Sequence, residues 1–130
     1  MSPSKSPPEI DPPVTLTVVS QNDAETRVAA SGRITRESLG DPDPLEAVIG
    51  ASAFAKPILL SLAKSDYMDS SGVGWILKCH KRAAEAGGKL ILHSAPPMIG
   101  NLMRMLKLER VLAIAANGAE AEAIAKSSQA

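Results

Sequence analysis

The sequence predicts an α/β fold: a mixed sheet of four to five strands carrying about four helices. Three observations predict it. Ile58-Leu59-Leu60-Ser61-Leu62, led by Pro57, is a short and nearly continuous apolar run, the pattern of a strand buried on both faces. From there to the C-terminus strand-like and helix-like segments alternate, which implies βαβ units with parallel pairing and right-handed crossovers. The first two strand-like segments are separated only by a turn, so they form an antiparallel hairpin that makes the sheet mixed. The expected order is strand, strand, helix, strand, helix, strand, helix, short edge strand, helix.

Each element has its own signal. Residues 1–13 hold five of the ten prolines and almost no apolar side chains, so they read as a disordered tail, leaving 14–130 as one domain. Val14-Thr15-Leu16-Thr17-Val18 alternates as a strand should, Gln21-Asn22-Asp23 makes a turn, and a second strand follows near residues 25–31. A short helix starts at Pro44, with Asp43 as its cap. After the third strand a helix runs over about 71–86, with Val73, Ile76, Leu77, His80 and Ala84 on one face. Lys78, Lys81, Arg82 and Glu85 point elsewhere, and Gly87-Gly88 stops the helix. Leu90-Ile91-Leu92 is a fourth strand, 97–107 a helix, 111–115 a short edge strand and 119–126 a last helix. There is no internal repeat.

The chemistry concentrates in Tyr67-Met68-Asp69-Ser70-Ser71-Gly72-Val73-Gly74-Trp75, directly after the apolar strand. Asp69, Ser70 and Ser71 are residue types that cap helix N-termini, and Gly72 and Gly74 allow close backbone approach. Two hydroxyls and a carboxylate thus sit at the carboxyl end of a strand and the positive end of a helix, where partners of α/β sheets gather and anionic groups are favoured. A phosphorylatable serine there would make a switch. A cap contributes about 1 kcal/mol, which accounts for one such residue but not three followed by two glycines. The residues alone support capping and function equally.

Asp69-Ser70-Ser71-Gly72-Val73-Gly74 after a hydrophobic strand resembles the hallmark of the STAS family, the sulfate transporter and anti-sigma factor antagonist domains. The resemblance extends through Gly87-Gly88-Lys89-Leu90-Ile91-Leu92, through Pro96-Pro97-Met98 to Leu108, and ends in Glu120-Ala121-Glu122-Ala123-Ile124, covering roughly 14–126. It implies a STAS-like fold and places the family's phospho-acceptor, the first hydroxyl after the Asp, on Ser70. Asp69, Ser71, Gly72, Trp75 and Thr35 are the implied partner-binding or supporting residues. One departure stands out: the family often follows its second strand with Gly-x-hydrophobic-Asp, and here Gly32-Arg33-Ile34-Thr35 carries a threonine in place of the carboxylate. The following Gly40-Asp41-Pro42-Asp43-Pro44-Leu45 also differs from the family's long first helix.

Composition narrows the function. The chain of 130 residues has 14 basic and 14 acidic side chains, so no net field favours nucleic acid or an anionic membrane. Phe54, Tyr67 and Trp75 are its only aromatics, too few for a base-stacking platform. Cys79 is alone, which excludes an intrachain disulfide and suits a cytoplasmic setting. No apolar stretch approaches the roughly 20 residues of a membrane span, and Met1-Ser2-Pro3-Ser4-Lys5 lacks a signal-peptide core.

Catalysis finds no support. A serine hydrolase needs a base and a nucleophile elbow, but Met68 and Asp69 stand where the elbow glycine belongs. Cys79-His80 is a pair without further metal ligands, and Gly72-Val73-Gly74 with Lys78 lacks the Walker order. Cys79 reads as a small packing residue, His80 as half-buried and His93 as a strand-end residue. Met98, Met103 and Met105 surround Leu102 and Leu106 beside Arg104, Lys107 and Arg110; core packing is expected for Met98 and Leu102. Trp75 lies one turn from the hydroxyls, a place that suits a partner hot spot, but core burial is the preferred reading.

The expectation is a protein-interaction module without cofactor, metal or enzymatic activity. Family resemblance implies as partner an anti-sigma factor of the GHKL serine-kinase type that binds the form unphosphorylated at Ser70. An accessory subunit of an ABC-type lipid transport system and a ligand-sensing STAS module are the alternatives.

Overall fold

Five segments, alternating in pattern near the N-terminus and continuously apolar in the centre, join one sheet in the computed structural model, which describes residues 13–40 and 43–128. The strands β1 (Thr15–Gln21), β2 (Thr26–Ser31), β3 (Pro57–Lys64), β4 (Lys89–His93) and β5 (Ala113–Ala115) lie side by side in chain order. β1 and β2 are antiparallel, with Val18 opposite Val28; β2 to β5 are parallel, with Leu60 beside both Val28 and Leu92. The hairpin turns on Asn22, whose side-chain oxygen accepts the backbone N–H groups of Ala24 (2.7 Å) and Glu25 (3.0 Å). A bulge between Val18 and Ser20 shifts the β1 register. The tail expected over 1–13 lies, except for Pro13, outside the described residues.

The helices are α1 (Arg36–Leu39), α2 (Pro44–Ile49), α3 (Ser70–Ala86), α4 (Pro97–Met105) and α5 (Gly118–Ser128), with 3-10 turns at Ala51–Ala55 and Leu108–Arg110. The four helices expected from the sequence are α2 to α5. The single turn of α1 is too short to show periodicity and is built instead on capping: Thr35 and Ser38 form a reciprocal capping box. α2 begins as expected, with Asp43 Oδ1 accepting the Leu45 N–H at 2.9 Å. α3 ends at Gly87, which takes the left-handed conformation (φ 89°) open to glycine. α4 stops at Met105, short of its expected end, because the chain turns at Lys107 (φ 57°).

The apolar run of β3 is explained by its position between two layers. Ile58, Leu60 and Leu62 face the main core under α1 to α4, while Leu59 faces α5 on the other side with Ile91, Ala115, Ala121 and Ala125. The fully buried α5 side chains in this second core are alanines, with Ile124 partly buried against it. On α3 the buried line is Gly72, Val73, Trp75, Ile76, Cys79 and Ala83. The expected face is rotated slightly: Ala84 is exposed and Ala83 buried, two methyl groups that hydropathy alone does not separate. On α4 the core positions are Ile99 and Met103, four residues apart; Leu102 packs partly against them, but Met98 is 41% exposed, one step off that stripe.

Ser65, in the turn after β3, is fully buried, and its hydroxyl meets no hydrogen-bond partner among the described residues. Such an orphan costs about 1–3 kcal/mol. Ser65→Ala should therefore raise the thermal midpoint by a few degrees, at roughly 3–5 °C per kcal/mol for a domain of this size. A calorimetric scan showing a lower midpoint would mean that the hydroxyl is satisfied in solution.

Candidate functional site

The chain leaving β3 returns to the chain leaving β2. Met68 forms a parallel bridge with Ile34; the Ile34 N–H donates to the Tyr67 carbonyl (2.9 Å), and the Asp69 N–H donates to the Ile34 carbonyl (3.2 Å). This junction places the N-termini of α1 and α3 together. Asp69 caps α3, its Oδ1 accepting the Gly72 N–H at 2.9 Å, while its Oδ2 accepts the N–H of Arg36, the first residue of α1, at 3.3 Å. One carboxylate thus serves two helix starts, where negative charge is favoured.

Gly72 makes the junction sterically feasible. A Cβ there would lie 2.4 Å from the Ile34 carbonyl oxygen and 2.6 Å from Met68 Cγ. Gly74 is different: a Cβ at that position would meet nothing within 4 Å. The two glycines that looked equivalent in the sequence therefore have separate reasons, close backbone approach at 72 and an unfilled surface at 74.

Around this junction the expected site residues come together. Ser70 is the first residue of α3 and exposed, while Ser71 is half-buried and borders an open groove. Thr35 is buried and caps α1, its hydroxyl accepting the Ser38 N–H at 3.3 Å, so the residue standing in for the family's carboxylate keeps the capping role a carboxylate could fill. Trp75 is only 6% exposed, and its indole N–H donates to Asp43 Oδ1 at 3.2 Å. It is a core residue whose edge reaches the groove. The Arg33 guanidinium stacks 4.3 Å above the Tyr67 ring beside the same junction.

The groove, about 410 Å³, lies beside α3 and is bordered by Arg36, Leu39, Asp43, Gly74, Trp75 and Lys78 among other described residues. Arg36 and Lys78 are not among the site residues expected from the sequence; Arg36 follows Thr35 directly, and Lys78 lies one turn beyond Gly74. Asp43 is held by its cap to α2, by Trp75 and by Arg82 (3.7 Å), and Arg82 also bonds Glu46 and stacks 4.3 Å over Phe54.

The remaining chemistry-bearing residues lie apart. Burial pushes the Cys79 thiol up to about 12, so it stays protonated inside α3. His93 is at the end of β4, where burial lowers its pKa, and its Nδ1 lies 2.8 Å from the Ser94 hydroxyl. His80 is on α3, half-buried as expected. Among the described residues no group of three or more His, Cys, Asp or Glu side chains is placed to hold a metal ion, and no helix is long and apolar enough to cross a membrane.

A sequence model of the STAS domain matches residues 5–121. The chain belongs to the STAS family. Solved structures of similar fold include an anti-sigma factor antagonist from Mycobacterium paratuberculosis (15% identity, TM-score 0.70), which covers 87% of this STAS domain's chain and 94% of its own. The anti-sigma factor antagonist SpoIIAA in its unphosphorylated form matches at 19% identity and TM-score 0.61 over 87% of this chain and 97% of its own. A STAS domain protein from Planctomyces limnophilus matches at 16% identity and TM-score 0.61, covering 90% and 98%. No curated protein matches the chain significantly by sequence. The expected fold and family are thus both established.

Substituting the two glycines separates their roles in this STAS domain. Gly72→Ala should destabilise by about 1–3 kcal/mol, because the Ile34 backbone cannot yield without opening the junction. Gly74→Ala should stabilise by about 0.5–1 kcal/mol, the usual gain from replacing glycine within a helix. Urea midpoints of the two variants check both directions.

Proposed function

We propose that this STAS domain is a cytoplasmic, non-enzymatic protein-interaction module switched by phosphorylation of Ser70, and that its partner is an anti-sigma factor of the GHKL serine-kinase type. The partner binds the unmodified form, transfers a phosphoryl group to the Ser70 hydroxyl and is released, and its release controls a sigma factor. The observation that carries this reading is the exposed hydroxyl of Ser70 on the first turn of α3, beside the Asp69 cap. The fold shared with anti-sigma factor antagonists, SpoIIAA among them, supports it.

The physics of the switch is direct. Phosphate adds about −1.5 to −2 charge and sits on the positive end of α3, where the dipole contributes about 0.3–1 kcal/mol. The fold therefore tolerates the modification. An interface shaped around a neutral hydroxyl does not, because burying an unmatched charge costs several kcal/mol. A loss of only about 3 kcal/mol weakens binding about a hundredfold.

Incubation with the cognate kinase and ATP should add one phosphate, mapped to Ser70 by mass spectrometry and absent from Ser70→Ala. Ser70→Asp should melt within about 0.5 kcal/mol of wild type yet bind the partner about tenfold or more weakly, while Ser70→Ala retains affinity. A phosphoprotein that binds as tightly as the unmodified form would refute the switch.

A further inference from the structure

Toward the β5 edge of the sheet, away from the junction of the β2 and β3 exits, the chain forms a second concavity. It leaves β4 through Ser94 (φ 62°) and Ala95, and leaves β5 at Ala115 into Ala116. Between these exits and α4 lies a pocket of about 440 Å³, bordered by a continuous run of described residues, 95–116. The crevice beyond the carboxyl ends of parallel strands is where open α/β sheets hold ligands, and small-molecule sites usually measure roughly 300–1,000 Å³. Met103, Ile114, Ala95 and Ala115 give the pocket its apolar lining. Two opposite charges border it, Arg104 from α4 and Glu109 from the following 3-10 turn, both exposed. They are not within ion-pair distance of each other, and the Arg104 guanidinium bonds only the neutral side chain of Asn101 among the described residues. Gly100, inside α4, also borders the pocket, and a Cβ there would meet nothing within 4 Å. Glycine in a helix interior is unfavourable relative to alanine, and here no close packing requires it. What its missing side chain does is keep the pocket open.

We propose that this pocket binds a small aliphatic amino acid as its zwitterion. The ligand carboxylate meets the Arg104 guanidinium, its ammonium meets the Glu109 carboxylate, and its side chain lies against Met103 and Ile114. Charge complementarity selects the zwitterion. A fatty acid would satisfy Arg104 but face Glu109 as a like charge, and an alkylamine would do the reverse. An amino acid placed between the two residues gives each a charge-assisted hydrogen bond, the stronger kind. The alanines and Gly100 leave room for a branched side chain. This site is separate from Ser70 and needs neither its hydroxyl nor its phosphate.

The test uses the full chain labelled with 15N and three probes: leucine, isocaproate (leucine without its ammonium) and isoamylamine (leucine without its carboxylate). Leucine should shift the Gly100, Ala115 and Ala116 amides saturably. It should bind about tenfold or more tightly than either relative, the size of one lost charge contact. Arg104→Gln and Glu109→Gln should each weaken leucine by about tenfold or more at an unchanged melting temperature. Glu109→Gln should also tighten isocaproate, because it removes the like charge. Gly100→Leu should fill the pocket and abolish the shifts, and the slimmer Gly100→Met should do so if the branched residue disturbs α4. The assignment is overturned by equal binding of the three probes, by shifts confined to another surface, or by undiminished leucine binding in both glutamine variants. A leucine titration that reaches tens of millimolar without a saturable shift overturns it as well.

Discussion

Two helices and two strand exits meet at a single carboxylate. Asp69 bonds the Gly72 N–H of α3 with one oxygen and the Arg36 N–H of α1 with the other, while its own backbone N–H reaches the Ile34 carbonyl. Each cap is worth about 1 kcal/mol, but the larger consequence is geometric. α1 is a single turn with too few internal hydrogen bonds to persist alone, so its place beside α3 depends on this bridge and on the Thr35–Ser38 box. The position of Ser70, the depth of the groove and the setting of Arg36 all follow from it. Gly72 is the second requirement of the same joint, since any side chain there would hold the two segments apart.

Further along α3 a polar linkage performs a related task. Arg82 bonds Glu46 and Asp43 on the α2 side and lies over Phe54, and Trp75 donates to Asp43 from within the core. These contacts fix α2 against α3 although α2 has only two buried side chains, Leu45 and Ile49. The wall of the groove opposite α3 is thus held by charge and capping more than by apolar area.

Much of this is legible in the residues and some is not. β3 is readable because burial on both faces removes polar residues from nearly every position, and the start of α3 is readable because a capping Asp precedes its glycines. The site residues Thr35, Asp69, Ser70, Ser71 and Gly72 are brought together by the fold; Thr35 proves to be a cap, a role its residue type permits but its neighbours do not announce. What stays hidden depends on backbone partners. Nothing in the chain shows that the Ile34 carbonyl faces Gly72, that α1 exists as a turn, or that Asp43 reaches Trp75 from 32 residues away. Alanine-rich helices also leave rotation ambiguous by one position, as with Ala83 and Ala84. Met98 is misplaced for a related reason: Pro97 sets where α4 starts and hence which methionine turns inward.

The sheet ends in two borders, and both are poor templates for a foreign strand. β5 is three residues long, and β1 carries exposed Thr15 and Thr17 and a register break that turns Val19 outward. Short strands, polar rims and bulges are the devices by which proteins avoid edge-to-edge pairing. Association through main-chain ladders would be slow to reverse and indifferent to a change on one side chain. With those borders blunted, the side-chain surfaces at the helix starts remain, where a single added charge would be felt at once.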